Sequence, residues 1–261
     1  MTLPSRSSCS AGKMSKSWTG YGKFASNAFL SVGLFILVGC GAPTSGSDVN
    51  DPYEAANRKV HGFNLAVDGA VFGRDARPSP VPKPVSTGLS NFVDNLGTPS
   101  YALNNLLQAR PEPLVKNTFR FVINSTVGIG GIFDPAGTLG LTRDPSDFGE
   151  TLAVWGAPEG AFVMLPFKGP STGRDVAGLI VDTAIDPVGV AVGWPQAGYL
   201  AGARLGNKID NRLIYSDTIT SILYDSADSY SQLRLFYLQN RRFELGQETD
   251  VIDPYEDPYA Q

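Results

Sequence analysis

Cysteine and histidine are nearly missing from this sequence, which holds two cysteines, Cys9 and Cys40, and a single histidine, His61, among 261 residues. At most one disulfide is possible, and a His-based metal cluster or hydrolytic triad would rest on His61 alone. No metal site is expected. Long apolar runs are missing from the chain after Cys40 as well. Residues 174–194 are mainly apolar, but Asp175, Asp182, Asp186 and Pro187 interrupt them, whereas a membrane-spanning helix needs about 20 apolar residues. A classical transmembrane span is therefore not expected. Acidic side chains are missing from the first 39 residues, where Arg6, Lys13, Lys16 and Lys23 supply all the charge.

That one-sided start reads as a secretory signal: a basic n-region, then an apolar h-region from Ala28 to Val38 broken only by Ser31 and Gly33. Leu37-Val38-Gly39-Cys40, which closes it, resembles the lipobox of bacterial lipoproteins. The resemblance implies cleavage between Gly39 and Cys40, diacylglycerol on the Cys40 thiol and a third acyl chain on the freed amine. This covalent lipid is the only cofactor expected. Three chains hold a protein at a membrane essentially permanently, since each buried methylene contributes about 0.8 kcal/mol. Gly41, where an inner-membrane retention signal has Asp, favours the outer membrane. Met14 would give a signal of ordinary length and is a candidate true start. Without residues 1–39 the chain keeps 17 basic and 25 acidic side chains, a net charge of −8, so nucleic acid is not an expected partner. With Cys40 alkylated, no disulfide or thiol nucleophile is left.

Residues 40–50 are small and polar and read as a flexible tether. A helical domain is expected over 51–246, and 247–261, with Asp250, Asp253, Glu256 and Asp257, reads as an acidic disordered tail. Tyr53, Ala56, Val60, Phe63, Val67 and Val71 recur at helical spacing from near Asp51-Pro52. The prolines from Pro78 to Pro84 end that helix. A second carries Val85, Leu89, Phe92, Val93 and Leu96, is expected to stop near Gly97-Thr98-Pro99 and to resume through Tyr101, Leu103, Leu106 and Leu107. Pro111 opens a third running towards Asn124. Two stretches, 127–141 and 148–173, are apolar but rich in glycine and lack periodicity. They read either as buried loops under a helical shell or as surfaces that pack on lipid or protein. Helices return after Pro195, from Ala201 to about Leu245, with Asp217 or Ser226 as sub-helix caps. Nothing alternates with strand period long enough to predict a sheet, so the fold class is all-α.

Catalysis has no visible carrier, and the chain is not expected to be an enzyme. The glycines at 128, 130 and 131 have the wrong spacing for a nucleotide loop. Asp134 and Asp144 precede prolines, and Asp144 and Asp175 follow arginines, which fits capping and ion pairing.

Several longer stretches resemble the MlaA (VacJ) lipoprotein family. They are Asp51-Pro-Tyr-Glu-Ala-Ala-Asn57-Arg58 followed by Phe63-Asn64, Gly88-Leu-Ser-Asn-Phe92 with Asn95-Leu96, Arg120-Phe-Val-Ile-Asn-Ser-Thr126 leading into Gly128-Ile-Gly-Gly-Ile-Phe-Asp134-Pro-Ala-Gly137, Phe148-Gly-Glu-Thr-Leu152, Leu165-Pro-Phe167 and Arg174-Asp175. The resemblance implies an all-helical, ring-shaped (donut) lipoprotein embedded in the outer membrane of a Gram-negative cell, facing the periplasm, with a central channel. It implies removal of mislocalised phospholipid from the outer leaflet and delivery to the soluble periplasmic carrier MlaC, which feeds an inner-membrane ATP-driven complex. A trimeric outer-membrane porin is a further implied partner. A structural envelope lipoprotein and a phospholipid-degrading enzyme are the alternatives.

A lipid headgroup crossing an apolar layer needs a polar-lined path. Asn91, Asn95, Asn104 and Asn105 are candidates to line it, or else to hydrogen-bond between helices. Trp155, Phe162, Leu165 and Phe167 are candidates for contact with acyl chains or a porin. Gly156 and Gly160, among the glycines from 149 to 173, are candidate gate positions, although close packing uses the same residues. Phe63-Asn64 is expected to sit against this segment on the family resemblance.

Overall fold

The computed structural model describes residues 49–75 and 77–247. The signal, Met14, Gly39, Cys40, most of the tether and the acidic tail from 248 lie outside the described residues. Within them the helices are α1 (Glu54–Phe72), α2 (Lys83–Leu107), α3 (Pro111–Thr126), α4 (Pro135–Thr138), α5 (Phe148–Val154), α6 (Gly173–Ala184), α7 (Pro187–Val192), α8 (Gln196–Ile214), α9 (Ser216–Thr220) and α10 (Ser229–Glu244), with a π-helical turn at Ser221–Asp225. No helix among the described residues is long and apolar enough to cross a membrane.

Three local expectations need correction. Pro99 does not end its helix: α2 runs through it, because Asn95, Leu96, Thr98, Asn104 and Asn105 are buried on both sides of the proline and tertiary packing outweighs one lost hydrogen bond. Strands do occur. β1 (Phe162–Leu165) and β2 (Gly169–Thr172) pair antiparallel, Phe162 opposite Thr172 and Leu165 opposite Gly169. Lastly, α10 is capped by Asp228, whose carboxylate accepts the Ser231 N–H at 3.2 Å; Asp217 lies inside α9, while Ser226 does stand as a cap, at the C-terminal end of the π-helical turn.

The lone hairpin is completed from the side by α1. Asn57 donates its side-chain N–H to the Phe162 carbonyl at 3.0 Å and accepts the Met164 N–H at 2.9 Å, so its amide stands in for a neighbouring strand. Phe162 and Met164 then pack with Tyr230 and Leu238 of α10 as a small apolar core. Tyr230 donates to Asp51 at 2.5 Å, and the guanidinium groups of Arg58 and Arg234 both lie over its ring. Asp51 also accepts from Asn57 and Arg234, which ties the start of the fold to its last helix.

Elsewhere the usual burial order is reversed. Among the described residues seven hydrophobic side chains are buried against 21 polar or charged ones, while 30 large hydrophobics are exposed. Helix α3 shows this at single-residue scale. Asn117, Arg120 and Asn124, spaced as one helical face, point inwards, and Val115, Phe119 and Val122 on the opposite face point out. On α8, Asn207 and Asp210 are inside, and Leu205, Ile209 and Ile214 are exposed. The apolar periodicity of α1 is real, but Phe63 and Val71 lie exposed and its buried residues are Asn57 and His61.

Candidate functional site

The inward faces of α2 and α3 and the segment after α4 enclose a cavity of about 140 Å³ lined mostly by polar residues, among them Asn91, Asp94, Asn95, Arg120, Asn124 and Arg143. Arg120 makes a two-oxygen contact with Asp134 at 3.0 and 3.1 Å, and Asn124 adds a bond to the same carboxylate at 2.8 Å. Asp134 is also the N-cap of α4, accepting the Gly137 N–H at 3.0 Å. Burial would raise its pKa, but the bonds from Asn124, Gly137 and Arg120 outweigh burial and hold the carboxyl below its ordinary value. Arg143 reaches from the other wall to Asp94 and to Asn91 Oδ1. For Asp94 burial wins, and its pKa is raised despite Arg143.

Asn95 donates to Ser125 Oγ at 3.0 Å and is 4% exposed, with its side-chain oxygen unpartnered. The turn it faces is possible only because residue 131 is glycine. Gly131 has φ +95°, and a Cβ there would overlap the Asn95 side chain.

A second cavity of about 960 Å³ shares Tyr101, Asp144 and Pro145 with the first as walls. Its lining is charged: Glu112, Asp147, Glu150 and Glu244 against Arg110 and Arg241. Arg110 pairs with Glu150 at 2.5 Å. Arg241 bridges Asp147 at 2.7 Å and Asp175 at 2.9 Å, and Tyr237 donates to Asp175 at 2.5 Å. These bonds overcome burial and lower the Asp175 pKa. The third cavity, about 560 Å³, is an apolar groove between α1, the hairpin and α8.

The candidate amides thus divide. Asn91 and Asn95 wall the first cavity, while Asn104 and Asn105 line none of the three. Asn104 joins helices instead, donating to Asp182 and accepting from Thr151, both at 3.0 Å, and Asn105 is 0% exposed. Phe162, an expected surface contact, is a core residue at 1% exposure, because its strand faces Tyr230. Leu165 is half-buried. Trp155 and Phe167 are exposed. Trp155 donates its indole N–H to the Leu107 carbonyl at 3.2 Å and packs edge-on against Phe148. Gly156 and Gly160 take φ +87° and +78° in the loop between α5 and β1.

Phe63 and Asn64 do meet the hairpin: the Phe63 and Phe167 rings are 5.4 Å apart, edge to face, and Asn64 donates to the Leu165 carbonyl at 3.0 Å. Arg120, Asp134, Arg143 and Tyr101 were not among the candidates for the cavity. For Arg120 the signal is its helical spacing with Asn117 and Asn124; the other three lie on separate elements that only the fold brings to the cavity.

Gly169-Pro170-Ser171-Thr172-Gly173 has the spacing of a hydrolase nucleophile elbow, so the sequence does hold one nominal catalytic motif. Ser171 is a fully buried strand residue opposite Val163, not an exposed turn. His61 bonds to Ser229 at 2.8 Å.

The stretches that carry the family resemblance are the ones that build these features: Asp51 to Arg58 the junction with α10, Asn57 and Asn64 the hairpin clamps, Arg120 to Gly137 the cavity wall. Residues 49–244 match the family model for the MlaA lipoprotein. The chain belongs to the MlaA family. It is 35% identical over 245 residues to the intermembrane phospholipid transport system lipoprotein MlaA of Escherichia coli (strain K12), and 36% identical to that of Shigella flexneri, covering 89% of this chain and 92% of each relative. A solved structure, described as the structural basis for maintenance of bacterial outer membrane lipid asymmetry, matches with TM-score 0.60 and 31% identity over 75% of this chain and 98% of its own. That MlaA-type fold agrees with the helical architecture found here.

Proposed function

We propose that this protein is the lipoprotein of an intermembrane phospholipid transport system, taking mislocalised phospholipid from the outer leaflet of the outer membrane and releasing it to a periplasmic carrier. The observation that carries the reading is the inversion of its interior. Thirty large hydrophobics face outwards over a polar interior, an arrangement costly in water at roughly 25 cal/mol per Å² of apolar surface and favourable where the surroundings are hydrocarbon. The adjoining polar cavities then supply what a headgroup needs to leave the apolar layer, groups that replace its lost water.

In this reading the Cys40 lipids deliver the protein to the outer membrane, and its apolar faces embed it there around a channel. The chain is not itself an enzyme. Partners supply the driving force: a soluble carrier of the MlaC type feeds an ATP-driven inner-membrane complex, and a trimeric porin holds the lipoprotein in place. The deciding experiment is a deletion strain assayed for surface-exposed phospholipid and complemented with wild type and with Cys40→Ala. Surface phospholipid should rise on deletion, return to normal with wild type and stay high with Cys40→Ala. A deletion that left surface phospholipid unchanged while weakening envelope attachment would overturn transport in favour of a structural lipoprotein. Cleavage of phospholipid by the purified protein in detergent micelles would overturn it in favour of an enzyme.

A further inference from the structure

The third cavity stands apart from the polar pair in composition. Leu65, Val71 and Phe72 of α1, Phe167 at the hairpin tip, and Leu205 and Ile209 of α8 form its walls. At about 560 Å³ it falls within the roughly 300–1,000 Å³ of small-molecule sites.

Its charged rim is one-sided. The carboxylate in the wall, Asp68, is already saturated: Arg212 contacts both oxygens at 2.8 Å and Tyr224 donates at 2.9 Å. Arg212 is thereby neutralised. Lys168 and Lys208 are also in the lining, and neither is ion-paired to a carboxylate among the described residues. Lys208 Nζ donates to the Phe167 carbonyl at 2.9 Å, which places it beside the residue preceding Lys168 and leaves two of its three N–H groups free. Lost water lowers the pKa of Lys168 although the side chain is largely exposed; Asp175 and Asp147 oppose that shift from outside the groove lining, and Arg241 and Lys208 add to it. A pair of neighbouring cations at the mouth of an apolar groove is complementary to an anion carrying a hydrocarbon chain.

We infer that this groove is a phospholipid site distinct from the polar cavities, in which one acyl chain lies between α1 and α8 and the phosphate rests between Lys168 and Lys208. The inference builds on the transport reading and adds a place where a lipid is held by its tail. A phosphodiester oxygen accepts from each ammonium group, and the chain replaces water on apolar side chains that are otherwise exposed.

The test uses the full protein in detergent micelles with phosphatidylethanolamine bearing a photoactivatable diazirine in one acyl chain, the adducts being mapped by mass spectrometry. Wild type should be labelled on α1 and α8 at the groove. Lys168→Glu/Lys208→Glu should lower that labelling about tenfold, Lys168→Arg/Lys208→Arg should keep it, and Leu205→Trp, which fills the groove and leaves the charges, should also lower it. Diacylglycerol with the same diazirine should label the groove about tenfold less. Adducts confined to the polar cavities would overturn the groove site and leave transport standing. Groove labelling indifferent to charge reversal, or matched by diacylglycerol, would overturn the phosphate seat. Displacement by inorganic phosphate at equal concentration would make this a simple anion site and overturn the lipid assignment. No phospholipid adduct anywhere would instead defeat the transport reading.

Discussion

Asn64 accepts the backbone N–H of Phe167 through its side-chain oxygen at 2.9 Å. With its donation to the Leu165 carbonyl, this repeats two helical turns later the grip that Asn57 has on Phe162 and Met164. Asn64→Ala should release the hairpin tip alone, costing about 1–3 kcal/mol of local stability. Hydrogen exchange of the 162–172 peptide checks it: the Phe167 amide should exchange faster and Met164 should not. Asn57→Ala should free Met164 and lower global stability, because it also cuts the bond to Asp51.

Acid should loosen the cavity wall. Asp134 and Asp175 have folded pKa values below their ordinary 3.8, so their contribution is complete above that value and is lost as pH falls through the lower folded values. Asp94, raised by burial, works in the opposite direction and favours the fold once protonated. Asp186 and Asp228 are lowered too, so four aspartates oppose one, and denaturant midpoints in detergent should drop as pH falls below about 4, less steeply in Asp134→Asn.

Arg241 neutralises carboxylates of two different elements. Arg241→Leu leaves the buried Asp175 charge without its cation, and should cost about 3–5 kcal/mol in denaturant unfolding. Tyr237→Phe, which removes one hydrogen bond to the same carboxylate, should cost about 1 kcal/mol.

Helices α5 and α6 touch backbone to backbone at Gly149 and Gly178. A Cβ on Gly178 would overlap the Gly149 main chain, which has nowhere to move, so Gly178→Ala should lower stability by about 1–3 kcal/mol. Gly202→Ala on α8, where nothing lies within 4 Å, should be neutral or stabilising by up to about 1 kcal/mol. Thermal melts of the pair separate close packing from simple helix propensity.

The inverted faces of α3 make a further prediction. Phe119→Ser with Val122→Ser should leave the melting temperature in detergent within the error of surface changes, where a buried aromatic would cost about 3–5 kcal/mol, and should weaken binding to phospholipid vesicles in flotation. Asn117→Leu, inside, should do the reverse.

Some helix boundaries are legible because proline marks them: Pro78 to Pro84 separates α1 from α2, and Pro111 opens α3, whereas Pro99 is overridden by the packing on both sides of it. Which face points inwards is not. Val115, Phe119 and Val122 spell the same stripe in either solvent, and only packing reveals that Arg120 and Asn124 are inside. The same limit divided the amides, since Asn91, Asn95, Asn104 and Asn105 share α2 and differ only in what lies opposite. Strand β2, Gly-Pro-Ser-Thr, lacks the alternation that marks a strand. It is a strand because β1 pairs with it, and β1 is held on its other edge by Asn57 and Asn64 of α1. Lys168 and Lys208 carry no signal in sequence, because a lone lysine says nothing until the fold brings a second beside it.

The outward apolar faces also constrain the journey. On the function proposed above, a chain leaving the inner membrane must cross an aqueous compartment before any hydrocarbon can cover Phe119, Trp194, Tyr199 and Phe243, all well exposed in the finished fold. Its native state is therefore worst suited to the medium through which it travels. Either an escort shields those side chains or the polar interior closes late, after arrival. For this protein folding and delivery are one problem, and a fault in export should surface first as aggregation.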